Sequence, residues 1–523
     1  LEAATAAAVA AWHRQLVRRQ VQQSTWDPSS NTSRKVSNVL RFMPFRHKEA
    51  EYLEYDLLSL VFAYLPFRTL GTLSLVSKRW RSVATDPSWK PELIVLAWGR
   101  AGLTGLPGAT ACPRPTLLPF AMEREVLQVC CCDEATLALT TDGRVWHWGM
   151  SWLKINGITN EPTCLEELSD IGAIACTVPG YFHGREAARG FTCAAVTRSG
   201  VLYTWGPNHS GQLIRAEATG ALATAAVNAR PGRVSFDRHN ERSEDDRVGK
   251  VLMVACGRMF TAVYTAADNN SGSIAGNRVL TCGRFVQEAP HALRAWAALN
   301  GLQLRQLAAG AFHCCCVTVT GELWTWGHPW GKDHANGNLL AQGNEMTMDQ
   351  DATPDVDNPQ MGPTHINGLE VHPGTFGVAH GTRLPRRVIA HAPHEPPMGA
   401  VAEVTCSTYS TLAITVDGKA YAWGDCDGGS LGHNVGECHI PRRLASLAGL
   451  RVAHGGVCYT NGAAATEDGS VYVWGGAMWQ GGLGGGSDGP QRVGFGGGVP
   501  PEYKVSSVAL GSWHGYLVLR RAP

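Results

Sequence analysis

The sequence predicts a mainly β fold in which seven similar sheet units stack into a closed ring, preceded by a small helical domain. Three observations predict it: a strand phrase ending in Trp-Gly that recurs along the chain, a first Trp-Gly lacking that phrase, and a final phrase lacking its Trp-Gly. The clearest copies are LALTTDGRVWHWG ending at Gly149, AAVTRSGVLYTWG at Gly206, CVTVTGELWTWG at Gly327, LAITVDGKAYAWG at Gly424 and AAATEDGSVYVWG at Gly475. A worn copy, RVLTCG, ends at Gly283, with Cys282 in place of Trp.

LIVLAWG ends at Gly99 with no strand phrase before it, and VSSVALGSWHGYLVL, Val505 to Leu519, has no Trp-Gly after it. These halves complete each other, giving seven endings and seven beginnings near residues 126, 188, 251, 305, 402, 450 and 505. Each unit alone leaves a sheet face bare, so neighbours stack radially and the split unit joins the chain ends. Endings lie 44 to 97 residues apart, which requires insertions at about 207–250 and 328–400.

Asp142-Gly143, Asp417-Gly418 and Asp468-Gly469 are predicted two-residue hairpin turns with both residues at positive φ. Period-2 alternation puts Trp146 with Trp148, Tyr203 with Trp205, Trp324 with Trp326, Tyr421 with Trp423 and Tyr472 with Trp474 on one face each, packed between units. The Gly after each Trp permits a tight turn where a Cβ would clash.

The phrase VLYTWGPNHSGQL at 201–213, echoed by YAWGDCDGGSLG at 421–432, resembles the repeat of the regulator of chromosome condensation. That resemblance implies a seven-bladed β-propeller over residues 93–523, closed by 505–519 pairing with 93–99.

Residues 50–91 differ in kind. Leu57, Leu58, Val61, Phe62 and Leu65 recur at helical spacing, Pro66 stops that helix, and Leu70, Leu73, Val76, Trp80 and Val83 mark a second. About 40 residues make too small a core to stand alone, so a partner or docking on the ring is expected. Leu53, Asp56-Leu57-Leu58, Leu65-Pro66, Leu70, Val76-Ser77-Lys78-Arg79-Trp80 and Asp86-Pro87-Ser88-Trp89 resemble an F-box, with Glu54 where that family usually has Pro. The resemblance implies that Leu53, Leu57, Leu58, Val61, Leu65 and Pro66 contact a Skp-type adaptor that docks the chain on a cullin ubiquitin ligase. Residues 1–48 read as an extension, partly helical or disordered.

Composition bounds the remaining choices. With 44% hydrophobic residues and a net charge of +1, the chain buries enough apolar surface to fold and carries no basic footprint for nucleic acid. No apolar run reaches membrane-spanning length. The 16 cysteines include the triplets Cys130–Cys132 and Cys314–Cys316 but no C-x-x-C pair, and are read as buried reduced thiols of a cytosolic or nuclear protein, with no metal site and no cofactor.

Gly-x-Ser-x-Gly around Ser430 and Ser487 lacks a following helix, so neither is read as a catalytic nucleophile. Histidines at 334, 365, 372, 380, 391 and 394 are spaced irregularly and are read as solvated. Arg383, Arg386 and Arg387, in the second insertion, are candidate substrate contacts. The leading function is a non-catalytic substrate receptor of a ubiquitin ligase. The alternatives are guanine-nucleotide exchange or scaffolding through the propeller, and light sensing by clustered tryptophans.

Overall fold

The computed structural model describes residues 91–523 apart from 101, 107–110, 150–158, 178–190, 209, 216–229, 237–247, 268–275, 284–292, 328–339, 342–363, 367–368, 372–382, 390–396, 426–428, 434–436, 477–486, 494–501 and 523. Among them are seven four-stranded antiparallel sheets, the blades of a propeller. Blade 1 is made from both ends of the described chain: Leu93–Arg100 lies between Ala111–Leu117 and His514–Arg521, with Tyr503–Leu510 beyond. Leu93 stands opposite Arg520 and Gly99 opposite His514.

Blades 2 to 7 follow in chain order, beginning at Val126, Ile171, Val251, Leu304, Val401 and Val452. Their first strands touch one another in sequence, and the first strand of blade 7 touches Tyr503–Leu510, which touches that of blade 2. The ring is therefore complete. Blade 3 begins at Ile171–Cys176 rather than near 188, because its first and second strands are separated by a long connection that hides the phrase. Blade 5 takes its outer strand, Arg383–Arg387, from within the stretch read as an insertion. Residues 50–90 of the stretch read as helical from the sequence, and the extension before it, lie outside the described residues.

The third strand of every blade but the fourth carries a Trp whose partner across the ladder is small. Trp98 faces Gly515, Trp148 Thr136, Trp205 Cys193, Trp326 Cys314, Trp423 Thr411 and Trp474 Gly462. In blade 4, Cys282 faces Thr261. A bulky partner would collide with the indole: a Cβ on Gly462 would lie 2.2 Å from Trp474. All six indoles are buried, so each contributes the large apolar area that holds one blade against the next.

The following glycines, Gly99, Gly149, Gly206, Gly283, Gly327, Gly424 and Gly475, all have φ between 91° and 119°. A Cβ on Gly475 would lie 2.1 Å from the carbonyl oxygen of Thr460, in the turn joining the first two strands of its blade. The same approach, at 2.3–2.5 Å, recurs at Gly99, Gly149, Gly206, Gly283 and Gly424. Both the left-handed backbone and the close approach exclude any other residue.

The Asp-Gly turns differ from expectation. Only the glycine has positive φ, at 79–82° in Gly143, Gly418 and Gly469. Gly143 N–H donates to Thr140 O at 2.9 Å and Thr140 N–H to Arg144 O at 3.0 Å, a three-residue loop with the glycine as bulge. Thr140 Oγ1 donates to Asp142 Oδ1 at 2.5 Å, which holds the Asp carboxyl below its ordinary range and fixes a right-handed first turn.

We expect Gly475→Ala to lower unfolding free energy by at least about 2 kcal/mol in denaturant titration, by combining φ strain with a backbone clash. Gly399→Ala, where a Cβ meets nothing within 4 Å, should change it by less than about 0.5 kcal/mol.

Candidate functional site

The turns between first and second strands lie together at one end of the ring, around its axis. They are bonded to one another: Thr177 Oγ1 donates to Gly257 O at 3.2 Å, Arg258 N–H to Ala311 O at 3.2 Å, and Ala311 N–H to Ser407 O at 3.3 Å. Ser512 Oγ donates to Asp133 Oδ1 at 2.6 Å, joining blades 1 and 2.

These turns place an arc of rings at the axis. Phe312 stacks on Tyr409 with centroids 5.9 Å apart, and Tyr409 meets Tyr459 at 6.1 Å. The Arg258 guanidinium lies 5.6 Å from the Phe312 centroid, so the arc crosses blades 4, 5, 6 and 7. Burial lowers Arg258 to about 10, with Tyr409 opposing the shift, and the side chain stays charged at neutral pH. In blade 1, Arg100 lies 5.8 Å from the Trp513 ring and 3.6 Å from Glu134 of blade 2. Tyr409, Tyr459 and Trp513 are half-buried, so rigid aromatic surface faces outward at low entropic cost.

Strand direction fixes what else shares this end. Third strands run toward it, so Gly206 and Gly327, where the two longest connections leave their blades, lie at this end. Leu93 lies at the opposite end, where the chain ends take the place of the Asp-Gly hairpin in blade 1. There Tyr503 Oη donates to Pro91 O at 2.7 Å and Arg521 N–H to Glu92 O at 2.8 Å. Burial raises Tyr503 to about 12, so the phenol keeps its donor proton.

Arg383, Arg386 and Arg387 occupy the outer strand of blade 5, away from the axis, opposite Gly327, Thr325 and Trp324. Arg387 Nη1 is 3.0 Å from Glu322. Leu53, Leu57, Leu58, Val61, Leu65 and Pro66 fall outside the described residues. Ser430 is buried, its carbonyl accepting the Trp474 indole N–H at 2.8 Å, and a strand, Glu437–Arg443, follows it rather than a helix. Among the described residues no helix is long and apolar enough to cross a membrane. Nothing in the sequence pattern singles out Trp513 as part of a surface. The missed signal was structural equivalence: Met259, Phe312, Tyr409 and Trp513 all stand one residue before the second strand of their blades.

Comparisons with known proteins match two segments of the chain to family models. The F-box-like model matches residues 55–90, and the model of the regulator of chromosome condensation (RCC1) repeat matches 304–329. The chain joins an F-box-like segment to an RCC1-type propeller.

The E3 ubiquitin-protein ligase HERC2 of Homo sapiens is 26% identical over 67% of this chain, which spans 6% of that protein's length. The ultraviolet-B receptor UVR8 of Arabidopsis thaliana is 23% identical over 62% of this chain and 72% of its own. Human WBSCR16 shares the fold with a TM-score of 0.56 at 18% identity, covering 83% of this chain and 100% of that one. Prp20p of Saccharomyces cerevisiae does so with a TM-score of 0.55 at 15% identity, covering 83% and 92%.

The ring's closure carries a pH signature. His514 Nε2 and Thr136 Oγ1 lie 2.9 Å apart across blades 1 and 2, and burial lowers the imidazole from 6.5 to about 3. The unfolded imidazole takes up a proton near pH 6.5 while the folded one stays neutral, so the stability this group contributes is whole above that pH. It is lost as pH falls toward 3, at about 1.4 kcal/mol per unit. Denaturant titrations should show a steeper acid loss in the wild type than in His514→Gln, by close to one proton's slope.

Proposed function

We propose that this protein is a non-catalytic substrate receptor of a cullin-type ubiquitin ligase. The observation that carries the reading is the F-box-like match ending at residue 90, directly before a chain held to blade 1 by the bonds at Pro91 and Glu92. Leu53, Leu57, Leu58, Val61, Leu65 and Pro66 supply the apolar face for a Skp-type adaptor. The arc of Phe312, Tyr409, Tyr459 and Trp513, with Arg258, receives the target protein.

The mechanism is proximity. Adaptor and target bind at opposite ends of one rigid ring, so the receptor fixes their separation and raises the effective concentration of a target lysine at the ligase, without forming or breaking a bond itself. A cytosolic or nuclear setting keeps the buried thiols reduced.

The test is copurification of the full chain with a Skp-type adaptor and cullin. Leu57→Ala with Leu58→Ala should weaken adaptor binding ~1,000-fold, about 4 kcal/mol for two buried anchors, with the propeller's melting transition unchanged. Retained binding in that variant would refute the assignment of these residues, and no binding by the wild type would refute the receptor reading.

Tyr409→Ala with Trp513→Ala should leave adaptor binding intact and abolish target binding and ubiquitination in a reconstituted ligase. Targets modified equally by that variant would place recognition elsewhere on the ring.

A further inference from the structure

The strand His313–Thr318 of blade 5 divides its thiols between two interfaces. Cys314 and Cys316 pack in the cluster shared with blade 4, whereas Cys315 and Val317 pack in the cluster shared with blade 6. His313 faces the same way as Cys315, and its Nε2 lies 2.9 Å from Thr411 Oγ1 of blade 6. Cys406 ends the first strand of blade 6, directly opposite Thr411 in the ladder. Its sulfur lies 3.4 Å from that of Cys315.

A ring nitrogen of His313 and the two sulfurs all lie within 4.8 Å of one another, and all three residues are buried. The His313 side chain is fully buried, and its Nδ1 makes no hydrogen bond, a feature it shares with His514.

Blade packing alone does not call for this triangle. The interface of blades 1 and 2 has the same histidine–threonine bond, between His514 and Thr136, with Cys131 opposite Thr136 where blade 6 has Cys406. There the position of Cys315 is taken by Tyr516, whose hydroxyl is satisfied by the Trp148 indole at 2.8 Å and by Leu103 O at 2.6 Å. The histidine therefore bridges blades without a second sulfur, and the additional thiol sets the interface of blades 5 and 6 apart.

We propose that His313, Cys315 and Cys406 bind a zinc ion that clamps blade 5 to blade 6. Zinc takes nitrogen and sulfur ligands tetrahedrally, and bonds of about 2.3 Å set two sulfurs about 3.8 Å apart, a small opening from the spacing here. Binding releases the two thiol protons, and two thiolates with a neutral imidazole then balance the ion's double charge. A neutral cluster is the form a buried interface tolerates, whereas copper(I) would leave a net negative charge. These residues supply three of the four ligands that zinc takes. The clamp falls on the blade whose third and fourth strands are joined by the longest connection among the seven. No spacing motif marks it, since its ligands come from adjacent blades, 91 residues apart at the sulfurs.

The test is metal analysis of the full chain, expressed with zinc and purified under reducing conditions. The expected result is equimolar zinc that survives dialysis and is released when thiols are modified in denaturant. Cys406→Ala and Cys315→Ala should lose it, and Cys316→Ala, on the opposite face, should keep it. Should the first two fail to fold, refolding the wild type with cobalt(II) gives an independent reading through sulfur-to-cobalt charge-transfer absorption. Zinc-free native protein, copper in place of zinc, a Cys315–Cys406 disulfide, or refolded protein without that absorption would overturn the proposal.

Discussion

Everything in the propeller depends on one pairing, the ladder between Leu93–Arg100 and His514–Arg521. Without it blade 1 is two fragments, blades 2 and 7 each lose a neighbour, and two sheet faces are left in water. The sequence meets this constraint with a fixed apparatus repeated in every blade. A tryptophan, or Cys282 once, lies over a small cross-strand partner, and a glycine at positive φ passes against the turn of the first two strands. At the closing interface the apparatus is reinforced by Tyr516, Trp148, His514 and Thr136, a buried polar set bridging residues more than 360 apart in sequence.

The closed ring gives the molecule two ends with different duties. Turns bonded from blade to blade carry aromatic rings and a guanidinium to one end, where half-buried rigid anchors suit protein recognition. The other end holds the Asp-Gly hairpins and the incoming chain, tied by Tyr503 and Arg521 at the point where the F-box-like segment finishes. In the proposed receptor, this separation keeps adaptor and target from competing for one surface.

Much of this was legible in the sequence because the repeat is written in side chains that the geometry cannot replace. The seven Trp-Gly or Cys-Gly endings mark the third strands, since only glycine fits there. Legibility failed where geometry is free to vary. Blade 3 hides its first strand behind a connection. The Asp-Gly loops take a bulged turn because a Thr hydroxyl, not the dipeptide alone, decides their shape. The aromatic arc escaped notice because Met259, Phe312, Tyr409 and Trp513 share a structural place but no common residue type. The metal-ligating triangle escaped because proximity across blades leaves no trace in spacing. The basic strand Arg383–Arg387 drew attention by charge, and the structure places it on the ring's outer rim.

The most direct test of ring closure is native-state hydrogen exchange on the full chain. If the chain ends close the ring, the amides of 93–99 and 514–520 exchange only through the same global opening as those of 313–317 in blade 5, and the bonded turns at 258 and 311 open with them. Exchange of the 93–99 and 514–520 amides through a separate opening of lower free energy, while 313–317 stay protected, would contradict the account.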